Sequence, residues 1–459
     1  MPTQCTGRSQ AAGRVEGRQV AVDFDGGQIS SDAGALLLRE VDRTLRLTER
    51  VAACFKDGRA PELIEHTVHT LVMQRIVAIA LGYEDLNDHD QLRRDPVLAT
   101  LAGKLSARRK GCEPLAGKST LNRLEHAPDT KDGLRYHKIA HDPAAFEALF
   151  VECFIEAHDE APEQIILDLD ATDDPLHGQQ EGRFFHGYYG GYCYLPLYIF
   201  CGRHLLAAKL RRANTDASAG SIEELERIIT QIRHRWPEVR IVLRADSGFA
   251  RDALMSWCEE ARIEFVFGLA KNDRLKAEIE TAMSEAQAEC TLTGKPARRF
   301  RDFTYRTRDS WSRARRVVGK AEQLPGKANP RFIVTSLDAQ RWPDRALYEE
   351  LYCARGEMEN RIKECQLHLF ADRTSTATMR ANQLRLWFAS FAYVMLEALR
   401  RIGLAGTELA DATCESLRLK LLKIGARVKI SVRRIHISMA SSHPFQTAWR
   451  LAQARLAPG

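Results

Sequence analysis

The chain has no apolar run approaching the ~18 residues that a membrane-spanning helix needs, so no such helix is expected. Its first residues, Met-Pro-Thr-Gln-Cys-Thr, hold no apolar core of the secretory kind, and the expectation is a cytoplasmic protein. The eleven cysteines stand singly and never as Cys-x-x-Cys, which argues against structural zinc and suits reduced thiols. There is no internal repeat and no low-complexity tract. Charge of one sign is not in large excess: the net charge is only +6, so total charge alone does not point to nucleic acid. What is present is ordinary globular material, 459 residues with 44% hydrophobic and 28% charged side chains, enough for about two to four domains.

Hydrophobic periodicity and punctuation divide the chain. Gln19–Phe24 alternates as a short strand, and Ser31 or Asp32 can cap a helix over Ala33–Leu45. Apolar residues at helical spacing predict a helix over Glu62–Leu81, with shorter ones over Pro96–Ala102 and, capped by Ser119, to His126. Asp142-Pro143 reads as cap and first-turn proline of a helix ending near Ala157. Residues 1–160 are therefore expected to be a mostly helical N-terminal domain. After Pro162 the expected order is strands Ile165–Leu169, Tyr192–Phe200 and His204–Arg211, helix Ser221–Trp236, strand Arg240–Ala245, helix Arg251–Ala261 and strand Glu264–Leu269. That β-β-β-α-β-α-β order is the order of a ribonuclease H-like α/β core, a mixed sheet with flanking helices. Residues 161–275 supply its first part, 276–340 a β-rich basic insertion, and 341–403 its C-terminal helices. Residues 404–459 form an α/β tail with a strand over Val428–Ile437.

Carboxylates fall at the ends of two of these strands. In Ile165-Ile-Leu-Asp-Leu-Asp-Ala-Thr172, alternation puts Asp168 and Asp170 on one face. Charges inside such an apolar run are costly unless they meet metal or hydrogen bonds. Asp170, where the strand opens, is the better ligand; Asp168 is a supporting or structural group. In Ile241-Val-Leu-Arg-Ala-Asp-Ser-Gly-Phe249, Asp246 ends the strand and Ser247-Gly248 allow a sharp turn. Capping a following helix is the lesser alternative for Asp246 taken alone. The third element is helical: Tyr352, Arg355, Glu359, Lys363 and Gln366 follow in steps of 3, 4, 4 and 3, which stack them along one stripe. Arg355 and Lys363 suit phosphate, and Glu359 completes a carboxylate set with Asp170 and Asp246. For an isolated helix, surface ion pairs such as Glu359 with Lys363 explain the pattern as well. Oxygen donors without matching Cys or His favour Mg²⁺ or Mn²⁺, and two Mg²⁺ ions held this way perform in-line phosphoryl transfer.

Between Lys295 and Arg331, twelve Lys and Arg residues are opposed only by Asp302, Asp309 and Glu322, with Phe300, Phe303, Tyr305 and Trp311 interleaved. Arg298, Arg299 and Arg301 are expected to follow a DNA backbone, against the plainer reading of a solvated sheet face. Trp311 either holds a flipped base or packs in a core. Lys118-Ser-Thr-Leu-Asn-Arg123 opens either a recognition helix, with Lys118 and Arg123 on DNA, or an ordinary capped helix. His177 and His186 read as structural histidines before metal ligands.

These residues resemble the DDE-type insertion-sequence transposases, in the branch with a β-rich insertion between the second Asp and the Glu. Within it the chain is similar to the insertion-sequence family numbered thirteen-eighty. The marks are Asp170-Ala-Thr, the hairpin His186-Gly-Tyr-Tyr-Gly-Gly-Tyr192, Arg244-Ala-Asp-Ser-Gly-Phe249 and Tyr352-x2-Arg355-x3-Glu359, over roughly Ser30 to Arg400. The branch has a basic residue seven places after the Glu, where this chain has Gln366; Lys363 is the nearest replacement. The resemblance implies Asp170, Asp246 and Glu359 as catalytic metal ligands and an N-terminal part that binds terminal inverted repeats. It further implies cleavage and joining of double-stranded DNA in the bacterial cytoplasm, with at least a homodimer on DNA. A nuclease of the same fold that cuts without joining, and a domesticated DNA-binding protein, are the alternatives.

Overall fold

The computed structural model describes residues 10–129 and 138–457, with side chains from residue 12. Cys5 lies outside them, as does the start of the N-terminal segment; Cys54, Cys193, Cys258 and Cys290 are buried thiols. No helix among the described residues is long and apolar enough to cross a membrane.

The chain divides into two compact units, and the division does not follow the sequential segments expected above. One unit joins Met1–Thr48, Ala60–Asn122 and Ala398–Gly459; the other joins Glu49–Arg59 and Arg123–Glu397. The tail thus belongs with the N-terminal segments. Within that first unit, Ala426–Ile430 pairs with both Ile435–Met439 and Gln28–Ser30. The alternating run around Val428–Ile437 is therefore a hairpin rather than one strand. Gly34 lets the tail approach: a Cβ there would lie 1.8 Å from the Leu421 carbonyl oxygen. The predicted helix over Glu62–Leu81 runs Val68–Ala80, begun where the Thr67 hydroxyl accepts from the Thr70 N–H. The Ser119 helix starts at Lys118, so Ser119 lies inside it.

The second unit is built on a nine-stranded sheet. Its principal strands are β1 (Gln164–Ala171), β2 (Leu197–Cys201), β3 (His204–Lys209), β4 (Arg240–Ala245), β5 (Glu264–Leu269), β6 (Ala297–Tyr305), β7 (Arg315–Leu324) and β8 (Arg331–Thr335). They lie in the order β3-β2-β1-β4-β5-β8-β7-β6. β4 runs parallel to β1 and β5, and the remaining neighbours are antiparallel. The strands of the basic segment continue this sheet. β8 pairs with β5, setting Phe332 beside Leu269 and Val334 beside Phe267, and so extends the same sheet. The strand expected over Tyr192–Phe200 is interrupted at Leu195-Pro196, because proline has no N–H to donate.

Strand alternation decides the two faces. Ile165, Leu167 and Leu169 of β1, Ile241 and Leu243 of β4, and Phe265 and Phe267 of β5 pack on one side. They meet helices α1 (Pro143–Glu156), α2 (Ser221–Arg235) and α3 (Asp252–Glu260) through Val151 and Phe154, Leu225, Ile228 and Ile232, and Leu254, Met255 and Cys258. Burying each such large side chain contributes about 1.5–3 kcal/mol before entropy is counted. On the opposite face Val242, Val266, Val318 and Ile333 meet Leu347, Tyr348 and Leu351 of the helical run 344–368. Helix α4 (Met379–Ala398) protects the sheet edge: the Gln383 side chain accepts from the Leu210 N–H and donates to the Ala208 carbonyl. Phe146 and Phe150 of α1 stack on Trp387 and Phe391 of α4.

Candidate active site

β1 and β4 are parallel neighbours in register, with Leu169 opposite Ala245. Asp170 and Asp246 therefore leave the sheet at adjacent carboxyl ends, where α/β sheets commonly present ligand-binding groups. Asp170 lies on the face covered by the helical run, as its alternation with Leu169 requires. Asp246 also caps the turn Ser247–Phe249, its Oδ1 accepting from the Gly248 N–H at 2.8 Å. The capping reading of Asp246 is therefore observed, and its carboxylate stands at the strand end beside Asp170.

The helical run is not uniform. It opens into wide π turns over Leu347–Tyr352, tightens into a 3-10 turn over Cys353–Arg355, and is α-helical over Gly356–Lys363. Such pitch changes are frequent at functional sites. Here they set Tyr352 and Arg355 against the strand ends. Arg355 donates to Glu359 at 2.7 Å and stands 3.7 Å from Asp170. Tyr352 fits over Gly268 of β5: a Cβ there would lie 2.6 Å from the Tyr352 hydroxyl and 2.9 Å from the Ser247 nitrogen. The sequence reading missed Gly268. A glycine inside Phe-Val-Phe-Gly-Leu was the available signal, since a strand glycine marks close approach of another group.

Asp168 does not join the carboxylate set. Arg244, beside it on β4, donates Nε to Oδ1 at 2.5 Å and Nη2 to Oδ2 at 2.8 Å, and Nη1 to the Leu351 carbonyl at 2.5 Å. This buried fork ties β1 and β4 to the residue before Tyr352. Around the mouth, a cleft of about 430 Å³ is lined by Asp246, Lys271, Arg331, Tyr352 and Arg355, among others. Lys271 was also unanticipated; it follows directly on β5.

Electrostatics links the three carboxylates. Burial, opposed by the Arg355 charge and assisted by those of Asp246 and Glu359, pushes the Asp170 carboxyl up to about 6. Burial likewise raises the Tyr352 hydroxyl. A divalent cation would relieve the repulsion at Asp170, and an oxygen-only donor set suits Mg²⁺ or Mn²⁺ chemically. The donors do not form a cage in this arrangement. Among the described residues no three His, Cys, Asp or Glu side chains are grouped to hold a metal ion. Arg355 takes the cationic place between Asp170 and Glu359.

Gln366 faces inward. Its amide donates to Asp174 Oδ1 at 2.8 Å and to the Asp173 carbonyl at 3.0 Å. Asp174 is fully buried, and burial pushes its carboxyl up to about 8, which favours the neutral form beside a neutral amide. Lys363 is exposed.

The structure brings few of the other DNA-contact candidates to this site. Arg298 pairs with Glu322 and Glu349, and Arg299 with Glu289. Arg315 lies between Asp252 and Glu259, and Arg316 pairs with Asp302. The acids that oppose the basic segment come mostly from elsewhere in the sequence. Arg301 is exposed on β6. Trp311 is buried and meets Tyr305 edge-on, so it is the core tryptophan of the two alternatives. Lys118 binds Asn87 and Asp90, and Arg123 is exposed.

A family model described as Transposase DDE domain group 1 matches residues 12–458. No curated protein matches the chain.

Proposed function

The chain belongs to the transposase DDE domain family, and we propose that it binds the terminal inverted repeats of an insertion sequence, cleaves the element ends and joins the freed 3′-hydroxyls to target DNA. The observation that supports this reading is that Asp170 and Asp246 leave the adjacent carboxyl ends of parallel β1 and β4, with Arg355 3.7 Å from Asp170 and bonded to Glu359. The order β3-β2-β1-β4-β5, with β1, β4 and β5 parallel, supports a ribonuclease H-like core. The tyrosine-rich hairpin and the Tyr352-Arg355-Glu359 spacing support the family numbered thirteen-eighty.

Asp170, Asp246 and Glu359 would hold two Mg²⁺ ions, with Mn²⁺ as a substitute. When bound, such ions supply Lewis acidity to the attacking and leaving oxygens. The chain's own residues do the positioning. The Arg355 guanidinium offers a fork to the scissile phosphate, and transfer of that fork from Glu359 to phosphate frees the Glu359 carboxylate. Tyr352, seated over Gly268, fixes the depth of the phosphate in the cleft. Lys271 and Arg331 attract the flanking backbone. Joining two ends in one reaction supports at least a homodimer on double-stranded DNA.

The test is Asp246→Asn in an end-cleavage assay on DNA flanking the reading frame, with Mg²⁺. Loss of cleavage with the thermal midpoint retained is expected; unchanged cleavage removes the proposal. Precut ends distinguish a transposase, which joins them to target, from a nuclease, which does not. A domesticated DNA-binding protein would bind those ends without metal-dependent cleavage.

A further inference from the structure

Between β1 and β2 the chain forms a small sheet in which Gly191–Tyr194 pairs with Asp174–Pro175 on one side and Phe184–His186 on the other. Its aromatic residues do not make a core. Tyr188 is 86% exposed, Phe185 59%, Tyr192 48%, Tyr189 37% and Phe184 36%. Five large rings within nine positions are thus at least one-third exposed, with Tyr188 and Phe185 mostly in water, an arrangement that marks a binding surface. The rings have not collapsed face to face. Tyr188 meets Tyr189 at 86° and Phe185 meets Tyr192 at 79°, edge-on arrangements in which each contact covers one ring face rather than two.

Charge and position identify what the rings receive. The segment 182–194 contains Arg183 and His186 but no Asp or Glu. The Arg183 guanidinium lies over the Tyr192 ring at 4.6 Å, and the Arg212 side chain runs beside Gly182. Aromatic faces edged with arginine suit a polyanion that carries its own flat rings. The hairpin also reaches the carboxylate site. The Tyr189 hydroxyl donates to the carbonyl of Ala171, the residue after Asp170, at 3.3 Å. That hydroxyl is raised first by burial and then by the charges of Asp173 and Asp170.

We infer that this hairpin is a stacking platform for unpaired bases of the DNA strand whose phosphate sits at Asp170, Asp246 and Glu359. The inference rests on the transposase reading above. It assigns to Phe185 and Tyr188 the base-holding role that buried Trp311 does not take. Stacking tolerates any base, because every base has a flat face, so the platform acts on local strand opening rather than on sequence.

The experiment uses the full chain and duplexes from the DNA flanking its reading frame. One duplex is fully paired; the other has three unpaired nucleotides at the cleavage end, one of them 2-aminopurine. Wild type should bind the unpaired form more tightly and quench the fluorophore. Phe185→Leu with Tyr188→Leu should lose that preference by about 5- to 100-fold, and the quench, while paired-duplex affinity stays. Tyr188→Phe should keep both. Both positions are exposed, so the thermal midpoint should not move. Retention of the quench and preference by the double leucine variant overturns the platform, as does an equal loss for both duplexes. If wild type binds neither duplex, the transposase reading fails and the platform falls with it, a result distinct from the other two.

Discussion

Replacing Arg244 by Met tests whether the buried fork supports the site through stability or through position. Arg244 and Asp168 have side chains only 8% and 4% exposed, and both guanidinium-to-carboxylate bonds are short. Removing the guanidinium leaves Asp168 buried with its main counter-charge gone. Breaking such a pair costs about 3–5 kcal/mol, whereas replacing both members by apolar groups of similar size is often neutral or stabilising. Burial already raises the Asp168 carboxyl and Arg244 pulls it back, so the single variant should also take up a proton on folding. Asp168→Leu with Arg244→Met should therefore regain most of the lost stability. It should not regain activity, because the Leu351 carbonyl still lacks its charged donor. A hydrogen bond to a charged group contributes about 1.5–3 kcal/mol. If that energy positions Tyr352 and Arg355 in the transition state, its loss lowers cleavage by about 10- to 100-fold. Denaturant unfolding of the four proteins in the cycle, followed by tryptophan fluorescence, gives the stability terms; end cleavage on the same preparations gives the rate. A single variant costing under about 1 kcal/mol, or a double variant that cleaves like wild type, would refute the argument.

Three further outcomes are expected. Gly268→Ala forces a methyl group against the Tyr352 hydroxyl and the Ser247 backbone; it should cost about 1–3 kcal/mol and reduce cleavage, and adding Tyr352→Phe should restore part of the thermal midpoint but not the cleavage. Asp174, raised to about 8, keeps on folding a proton that the unfolded chain releases near pH 4, so its contribution to stability is whole below pH 4 and is lost as pH rises toward 8. Asp174→Asn should flatten that slope in denaturant midpoints taken from pH 5 to 8, and an unchanged slope would place the effect elsewhere. Arg299→Ala should leave DNA affinity nearly unchanged, since its guanidinium is engaged by Glu289, whereas Lys271→Ala and Arg331→Ala should each reduce the slope of log K against log salt by about 0.9. Equal slopes for all three variants would show that the cleft does not contact phosphate.

The elements around the site were legible wherever a local pattern specified them. Alternation in β1 separated Leu167 and Leu169 from Asp168 and Asp170, and the structure places those pairs on opposite faces. The Asp142-Pro143 helix start was readable because cap and first-turn proline act within one turn; Asp142 accepts from Ala144 and Ala145. The stripe of Tyr352, Arg355 and Glu359 followed from helical spacing, although the pitch changes along it did not. Gly268 is legible in principle, as a glycine inside an apolar strand.

Local pattern specifies which residues share a strand face or a helix stripe, because side-chain direction is set by backbone geometry over a few residues. Folding in three dimensions builds the tail with the N-terminal segments and extends the core sheet from β5 to β8. It also decided that Glu289, Glu349, Asp252 and Glu259 neutralise much of the basic segment. Asp168 was assigned to Arg244 by strand register, and Gln366 to Asp174 by burial. Partners of this kind are chosen by distances in space between residues far apart in the chain, and no local periodicity records them.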